Sequence, residues 1–531
     1  MGSRLLDPHD HHALSRHLSH ESCDSFELDD ADFEAYGFTS EAYLHKTPSP
    51  VVERIVSAVP FLRRRYGPGR ARAAWSLSRK TYRKRTLSRL LCHSLAYATI
   101  CVFALVIITT LFFPSYSRPP SHYQTLRQTV FSMNERGRGN ARNEKIFIAA
   151  SIYDKDGSLA GGQWGENVLE LIELLGPRNV YLSVYENDTG DESAVALKAL
   201  EDKVLCNKSM VYEEHLDPKV IRNVTLPDGT QRVKRIAYLA EVRNRALKPL
   251  YKSDVQFDKL LYLNDVYFNP IDVLQLLFST NVDEFGVAQY RAACSVDFIN
   301  PFKFYDTFAT RDLEGYGMGL PLYPFFSTAG NGESRRDVQD QKDAVRVRSC
   351  WGGMVAFDAR FFQPSLSHNN SSLSTDRAIF RAEPDAYWDA SECCLIHADI
   401  QIPPHEWDDE YTTTGIYMNP YVRVAYDSTT LTWLSLTRRF ERLYSIPQNI
   451  INHLVGLPWF NPRRTETAGE MIQDEVWVPD SSKSGGGSYK SVTRKAGTGG
   501  FCGRYGLQVM KTDPEPGDKP WEILPVPLPP P

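Results

Sequence analysis

The chain lacks every short motif that would assign its chemistry at once. It has no GxxxxGK(S/T), no GxGxxG after a strand, no HExxH and no GxSxG past its hydrophobic stretch. Those absences weigh against an NTPase, a dehydrogenase, a zinc protease and a serine hydrolase. No CxxC pair with metal-site spacing occurs either. The formal net charge of −5 over 531 residues argues neither for nor against a charged partner, because it averages over segments that differ sharply. On length alone, two or more domains are expected.

Charge is missing altogether from Leu90 to Phe113, "LLCHSLAYATICVFALVIITTLFF". At ~1.5 Å per residue this stretch can cross a ~30 Å hydrocarbon core. A dense set of cations precedes it, among them Arg63, Arg64, Arg65, Arg79, Lys80, Arg83, Lys84, Arg85 and Arg89. The positive-inside rule then makes residues 1–89 a cytoplasmic tail, 90–113 a transmembrane anchor, and everything beyond lumenal. The tail has no periodic apolar pattern and is expected to be largely disordered.

Of nine cysteines, Cys206, Cys294, Cys350, Cys393, Cys394 and Cys502 lie beyond the span, an even number suited to an oxidising compartment. Vicinal Cys393 and Cys394 are expected to bond to separate partners. Glycosylation sequons fall at Asn187, Asn207, Asn223, Asn369 and Asn370, all beyond the span.

Residues 114–142 read as a polar stem containing Pro and Gly. An α/β pattern follows: "KIFIAASIY" is a continuous apolar strand, "GENVLELIELLG" has helical spacing, and "NVYLSVYEN" is a second strand. Helices are expected at 193–204, 240–251 and 270–280, and strands at 259–268 and 285–292. Such alternation predicts a mostly parallel sheet covered on both faces, with ligands outside the carboxyl ends of its strands. One domain from 143 to 480 is expected, followed by a Gly/Ser- and Pro-rich extension, 481–531.

The strand "FDKLLYLNDVYFNP" delivers Asn264 and Asp265 at its carboxyl end. The pair reads either as a turn or as the ligand of a hard cation such as Mn²⁺ or Mg²⁺ that neutralises a leaving diphosphate. A-type glycosyltransferases usually place Asp-x-Asp here, whereas this chain offers one carboxylate.

Several ordered blocks now match together: "KIFIAASIYDKDG", "YLSVYENDTGDES", "RIAYLAEVRNRALKPL", "FDKLLYLNDVYFNPIDVLQLL", "FYDTFATRDLEGYG", "VRSCWGGMVAFDARFF", "FRAEPDAYWDASECCLIHADI" and, near the end, "GTGGFCGRYGLQVM". Over Lys145 to Ile400 the chain resembles the fungal CAP59/cryptococcal mannosyltransferase family, glycosyltransferase family sixty-nine. The resemblance implies an A-type glycosyltransferase fold, Rossmann-like and mostly parallel, behind a single transmembrane helix. It also implies retaining α-1,3-mannosyl transfer from GDP-mannose, with Mn²⁺ or Mg²⁺ as cofactor and a glycan as acceptor.

Carried onto this chain, it makes Asp265 the metal or diphosphate ligand, with His397 completing the metal site. Donor contacts fall on Glu186, Asp188, Arg243, Asn244 and Asn264, and on Asp312 and Glu314 of a polar loop that also holds Asp306 and Arg311. Asn187 is read as unglycosylated, since it cannot be both glycosylated and buried against a nucleotide. Trp351 reads as a sugar-stacking platform or as a core residue beside a disulfide. Gly352 and Gly353 would let backbone approach the ligand, and Glu392 would orient or deprotonate the acceptor hydroxyl. The expectation is a Golgi, single-pass type II mannosyltransferase with no nucleic-acid partner. Its rivals are a non-catalytic glycosyltransferase-like scaffold in polysaccharide assembly and an enzyme using another donor such as UDP-xylose.

Overall fold

The computed structural model describes residues 77–154, 156–187, 190–212, 216–364, 377–404, 413–480, 482, 486–512 and 519–527. Most of the expected cytoplasmic tail and Asp188, Asn369 and Asn370 lie outside them. The chain divides into two compact units, one formed by Leu28–Thr109 and the other containing Thr110–Pro531. Helix α1 (Leu77–Phe112) carries the apolar stretch, and its Cys92–Phe112 part is long and apolar enough to cross a membrane.

The larger unit is built on a ten-stranded sheet. After α2 (Ser121–Ser132) come β1 (Ile146–Ile152), α3 (Gln163–Leu175), β2 (Val180–Glu186), α4 (Asp191–Lys203) and β3 (Asn207–Tyr212). Then follow α5 (Arg235–Tyr251), β4 (Lys259–Leu263), α6 (Pro270–Ser279), β5 (Ala292–Asn300), β6 (Val345–Ser349) and β7 (Met354–Asp358). Helix α7 (Glu392–Ile400), β8 (Ile416–Ala425), α8 (Ser428–Thr437), α9 (Ser445–Val455), β9 (Met471–Pro479) and β10 (Gly487–Lys495) complete the main elements.

The main strand order is β3-β2-β1-β4-β7-β5-β8-β6, with two-residue strands at 303–304 and 311–312. β1 runs parallel to β2 and β4, and β8 parallel to β5, while β7 runs antiparallel between β4 and β5. This is the expected mostly parallel α/β sheet. Its continuous apolar strands reflect burial on both faces. In β1, Ile146, Ile148 and Ala150 pack with Val168 and Leu171 of α3 and Leu274 and Leu277 of α6, whereas Phe147 and Ala149 face Val242, Ala246 and Leu250 of α5.

Three boundaries differ from expectation. The expected stem is folded: α2 occupies it, and Tyr116 and Tyr123 are buried at 1% exposure. The Tyr123 hydroxyl accepts from the Asn419 amide of β8 at 2.6 Å. The Gly/Ser-rich segment after residue 480 joins β9 to β10, which pair along their whole length, and the chain then returns to the core through the Cys394–Cys502 disulfide. The strand expected at 285–292 starts only at Ala292. Asp283 caps a turn there by accepting from the amides of Phe285 and Val287.

Candidate active site

β1, β2 and β4 are parallel neighbours, so their carboxyl ends share one edge, with Ile152 beside Glu186 and Ala150 beside Leu263. Asp154, Glu186, Asn264 and Asp265 gather there. The Asp154 amide donates to Glu186 Oε1 at 3.1 Å. The Asp154 carboxylate in turn accepts from the amides of Leu159 and Ala160 at 3.0 and 2.8 Å, which shapes the loop leading into α3. Burial nevertheless pushes its pKa up.

Asn264 is structural at this edge. Its amide donates to the Gly353 carbonyl, its own carbonyl accepts from Trp164 Nε1, and its side-chain oxygen accepts from Arg243 Nη1 and Trp351 Nε1. It therefore ties four neighbours together. Asp265, one residue on, is half-buried. Among the described residues its carboxyl accepts only from its own backbone amide. Burial raises it to about 6, opposed by that amide and by Arg243, while Asp154 adds to the rise.

Arg243 lies on the buried stripe of α5 with Ile236, Leu239, Ala246 and Leu250, where a cation needs a partner. It finds Glu392 at 2.9 Å, and its guanidinium lies 4.5 Å from the Trp351 ring centroid. Ser391 caps α7 by accepting from the Cys393 amide, which sets Glu392 in the first turn of that helix. Glu392 Oε1 thus accepts from Arg243 and from the Cys393 thiol.

Beyond β5, Asp306 accepts from the amides of Ala309 and Gly352 at 3.0 and 3.3 Å. Its own amide donates to Asp297 Oδ1 at 3.1 Å. Burial raises both acids, Asp306 raises Asp297 further, and Glu392 raises Asp306 while Arg243 opposes it. Asp154, Asp265, Asp306 and Glu392 are therefore linked electrostatically around Arg243.

Several expected ligands are placed elsewhere. Asn244 spends its amide on the Phe380 backbone, donating to the carbonyl at 2.8 Å and accepting from the amide at 2.9 Å. It also lines a cleft of about 280 Å³ between 220–224 and 380–384 that does not include Asp265. Asp312 closes a turn by accepting from the amides of Glu314 and Tyr316, and Glu314 accepts from the Asn331 amide. Arg311 holds the carbonyls of Phe501 and Cys502. Asn187 is buried and donates to the Tyr238 hydroxyl at 2.5 Å, which agrees with its reading as unglycosylated.

Trp351 is buried at 2% exposure against Tyr262 and Phe380, so it is a core residue and no open platform. Gly352 and Gly353 have φ of +58° and +68°. A Cβ at Gly352 would meet the Ser295 carbonyl at 2.0 Å, and one at Gly353 would meet Val266 at 2.8 Å. Close packing against protein is therefore what these glycines serve.

His397 does not fit the metal role. It is fully buried and stacked on Phe357, its Nδ1–H donates to the Cys393 carbonyl at 2.7 Å, and burial lowers it to about 4. Its ring neighbours Cys294 and Cys350, but those sulfurs are joined in a disulfide and offer no thiolate. Cys394 pairs with Cys502, while Cys393 and Cys206 are buried thiols, that of Cys393 donating to Glu392 Oε1 at 3.4 Å, so only one of the vicinal pair finds a disulfide partner. Asp265 does fit a hard divalent cation, because its carboxyl oxygens are not consumed by protein donors.

Asp154 and Asp297 were missed by sequence reasoning. Asp154 stands one residue past the strand "KIFIAASIY", and Asp297 was signalled by an acid inside the apolar run "AACSVDFIN".

A mostly parallel sheet in which β7 and β6 are reversed, with an acid-lined carboxyl edge, is that of an α/β protein of the A-type glycosyltransferase kind. Residues 145–399 match the model of the family described as Cryptococcal mannosyltransferase 1. Alpha-1,3-mannosyltransferase CMT1 of Cryptococcus neoformans var. neoformans serotype D is 24% identical over 278 residues, which take in 49% of this chain and 53% of the relative. The chain thus matches about half the length of that relative.

Among solved structures, the mannosyltransferase PcManGT of Pyrobaculum calidifontis in complex with GDP-Man and Mn²⁺ is 12% identical, with a TM-score of 0.30 over 67% of this chain and 74% of that one. Glucosyl-3-phosphoglycerate synthase of Mycobacterium tuberculosis, in complex with Mg²⁺ and UDP, is also 12% identical, with a TM-score of 0.26 over 71% and 93%. At such scores the fold assignment rests on this sheet's own strand order.

Proposed function

We propose that the chain is a membrane-anchored glycosyltransferase of the Golgi. It transfers mannose from GDP-mannose to a glycan acceptor of a cell wall, capsule, glycoprotein or glycolipid, making an α-1,3 linkage with retention of configuration. The observation that carries the reading is Asp265: a strand-terminal carboxyl, unconsumed by neighbours, beside Arg243 and Asp154 in a segment of a mannosyltransferase family. The donor and linkage follow the relative's name and the family resemblance, and the anchor follows the apolar Cys92–Phe112 stretch.

In this reading Asp265 holds Mn²⁺ or Mg²⁺, which when bound offsets charge on the departing diphosphate. Arg243 adds fixed positive charge at the same edge, and Asn264 and Glu392 hold its fork in place. Asp154 and Glu186 shape the loop above β1 and β2 against which the nucleoside would lie.

The test is hydrolysis of a panel of nucleotide sugars by the purified full chain with and without Mn²⁺. GDP-mannose should be the donor turned over, and Asp265→Ala should abolish that turnover. Wild-type turnover by Asp265→Ala would remove it from the mechanism. Preference for UDP-xylose would keep the enzyme and change its donor, and inertness toward every donor would favour the scaffold reading.

A further inference from the structure

Residues 445–462 form a surface that the proposed chemistry does not use. They contain no Asp, Glu, Lys or Arg, although Arg438, Arg439 and Arg442 precede them and Arg463 and Arg464 follow. The stretch also lies beyond the segment matched by the family model.

Helix α9 is built inside out. A helix on a protein surface ordinarily turns its apolar stripe inward and its polar face to water. Here Gln448 and Asn452 are buried. Gln448 donates to the Leu320 carbonyl at 3.2 Å and accepts from Arg335 Nη1 at 2.6 Å, and Asn452 accepts from the Leu320 amide at 2.7 Å. The outer stripe at i, i+4 and i+8 is Ile446, Ile450 and Leu454, which are 72%, 54% and 60% exposed. Trp459 and Phe460 extend it, Phe460 at 86% exposure.

A chain of contacts within the same unit connects this face to the point where the chain enters. Tyr116 is buried only three residues after Phe113, where the apolar stretch ends, and three extended residues reach about 10 Å. The Tyr116 ring packs on Tyr421 at 4.8 Å and near the Arg423 guanidinium. Arg423 pairs with both carboxyl oxygens of Glu441, at 2.9 and 2.7 Å. Glu441 opens the short turn Glu441–Tyr444 that runs directly into α9.

We propose that the outer face of α9, with Trp459 and Phe460, lies in the interfacial layer of the bilayer that Cys92–Phe112 crosses, and so holds the unit against the membrane. The inference rests on the anchored reading above. Apolar side chains would sink into the headgroup boundary, aromatic rings would occupy the interface, and the exposed Arg439 ahead of the helix would meet lipid phosphate.

The full chain, carrying a diazirine amino acid at position 450, is reconstituted into phosphatidylcholine–phosphatidylserine vesicles and irradiated. A second sample carries the probe at Val195, which is 71% exposed on α4. Phospholipid adducts at position 450 and few at position 195 are expected. The adducts should be lost with the probe at position 460 when Ile450→Asp and Leu454→Asp are introduced, changes that alter only exposed positions. Solvent adducts alone at position 450, or equal lipid adducts at both positions, would overturn the docking. Crosslinks to a second copy would overturn it too, by making α9 a subunit interface. Carbonate extraction of the same vesicles separates the two readings: a chain that resists extraction but gives no lipid adduct is anchored without docking, whereas an extracted chain has no anchor.

Discussion

His397 shows how burial decides the role of a single side chain. Its imidazole is kept neutral in the folded state, at about 4 against an ordinary value near 6.5. For a base lowered by folding, the stability it contributes is fully present above the unfolded value and is lost as pH falls toward the folded one. Wild type should therefore lose about 3 kcal/mol from this group between pH 7 and pH 4, and His397→Asn, which keeps a donor for the Cys393 carbonyl at the position of Nδ1, should flatten that part of the curve. Urea unfolding at several pH values checks this, and parallel curves would refute it. Arg243→Lys keeps the charge but loses the fork between Glu392 and Asn264, so it should cost about 2–3 kcal/mol and most of the turnover. A double-mutant cycle with Glu392→Gln should show coupling above about 1 kcal/mol. The sequence exposed Asp265, because an acid ending an apolar strand is locally conspicuous. It hid the roles of Asn264 and His397 and left Trp351 open between platform and core, because burial beside a disulfide and an arginine is set by tertiary packing.

Among the elements, the central strands and the helices between them were legible, since apolar periodicity repeats over several turns in α3 and α6. The segments flanking them were not. Residues 114–142 and 481–512 look like a stem and a tail by composition, yet they attach through isolated anchors such as Tyr116, Tyr123, Phe501 and Cys502, which carry no period. Removing everything after Asp480 should therefore be far from neutral. It deletes Cys502, which closes a loop of 108 residues with Cys394, a constraint worth about 4–5 kcal/mol by chain entropy. It also strips the Phe501 and Cys502 carbonyls from Arg311 and removes the Gln508 amide that donates to Asp389. The truncated chain should fail to fold or aggregate, as read by circular dichroism and size exclusion. A folded, donor-hydrolysing truncation would show that the extension is dispensable.

For the molecule as a whole, the open question is whether one strand-terminal acid suffices for donor binding. The sheet places Asp154, Asp265, Asp306 and Glu392 around Arg243, so the donor pocket has more acidic groups nearby than the single Asp265 suggested, but most of their oxygens already serve protein donors. If Asp265 is the ligand that matters, Mn²⁺ and GDP-mannose should stabilise the chain only together. A ligand at a hundred times its dissociation constant adds about 2.7 kcal/mol to the folded state, which calorimetry reads as a rise in the unfolding temperature of the larger unit. Asp265→Asn should erase that rise while leaving the metal-free protein folded, because its carboxyl accepts only from its own backbone amide. A scaffold would show no rise with any donor in either protein. A rise that persists in Asp265→Asn would move the metal onto the Asp154–Glu186 side of the edge.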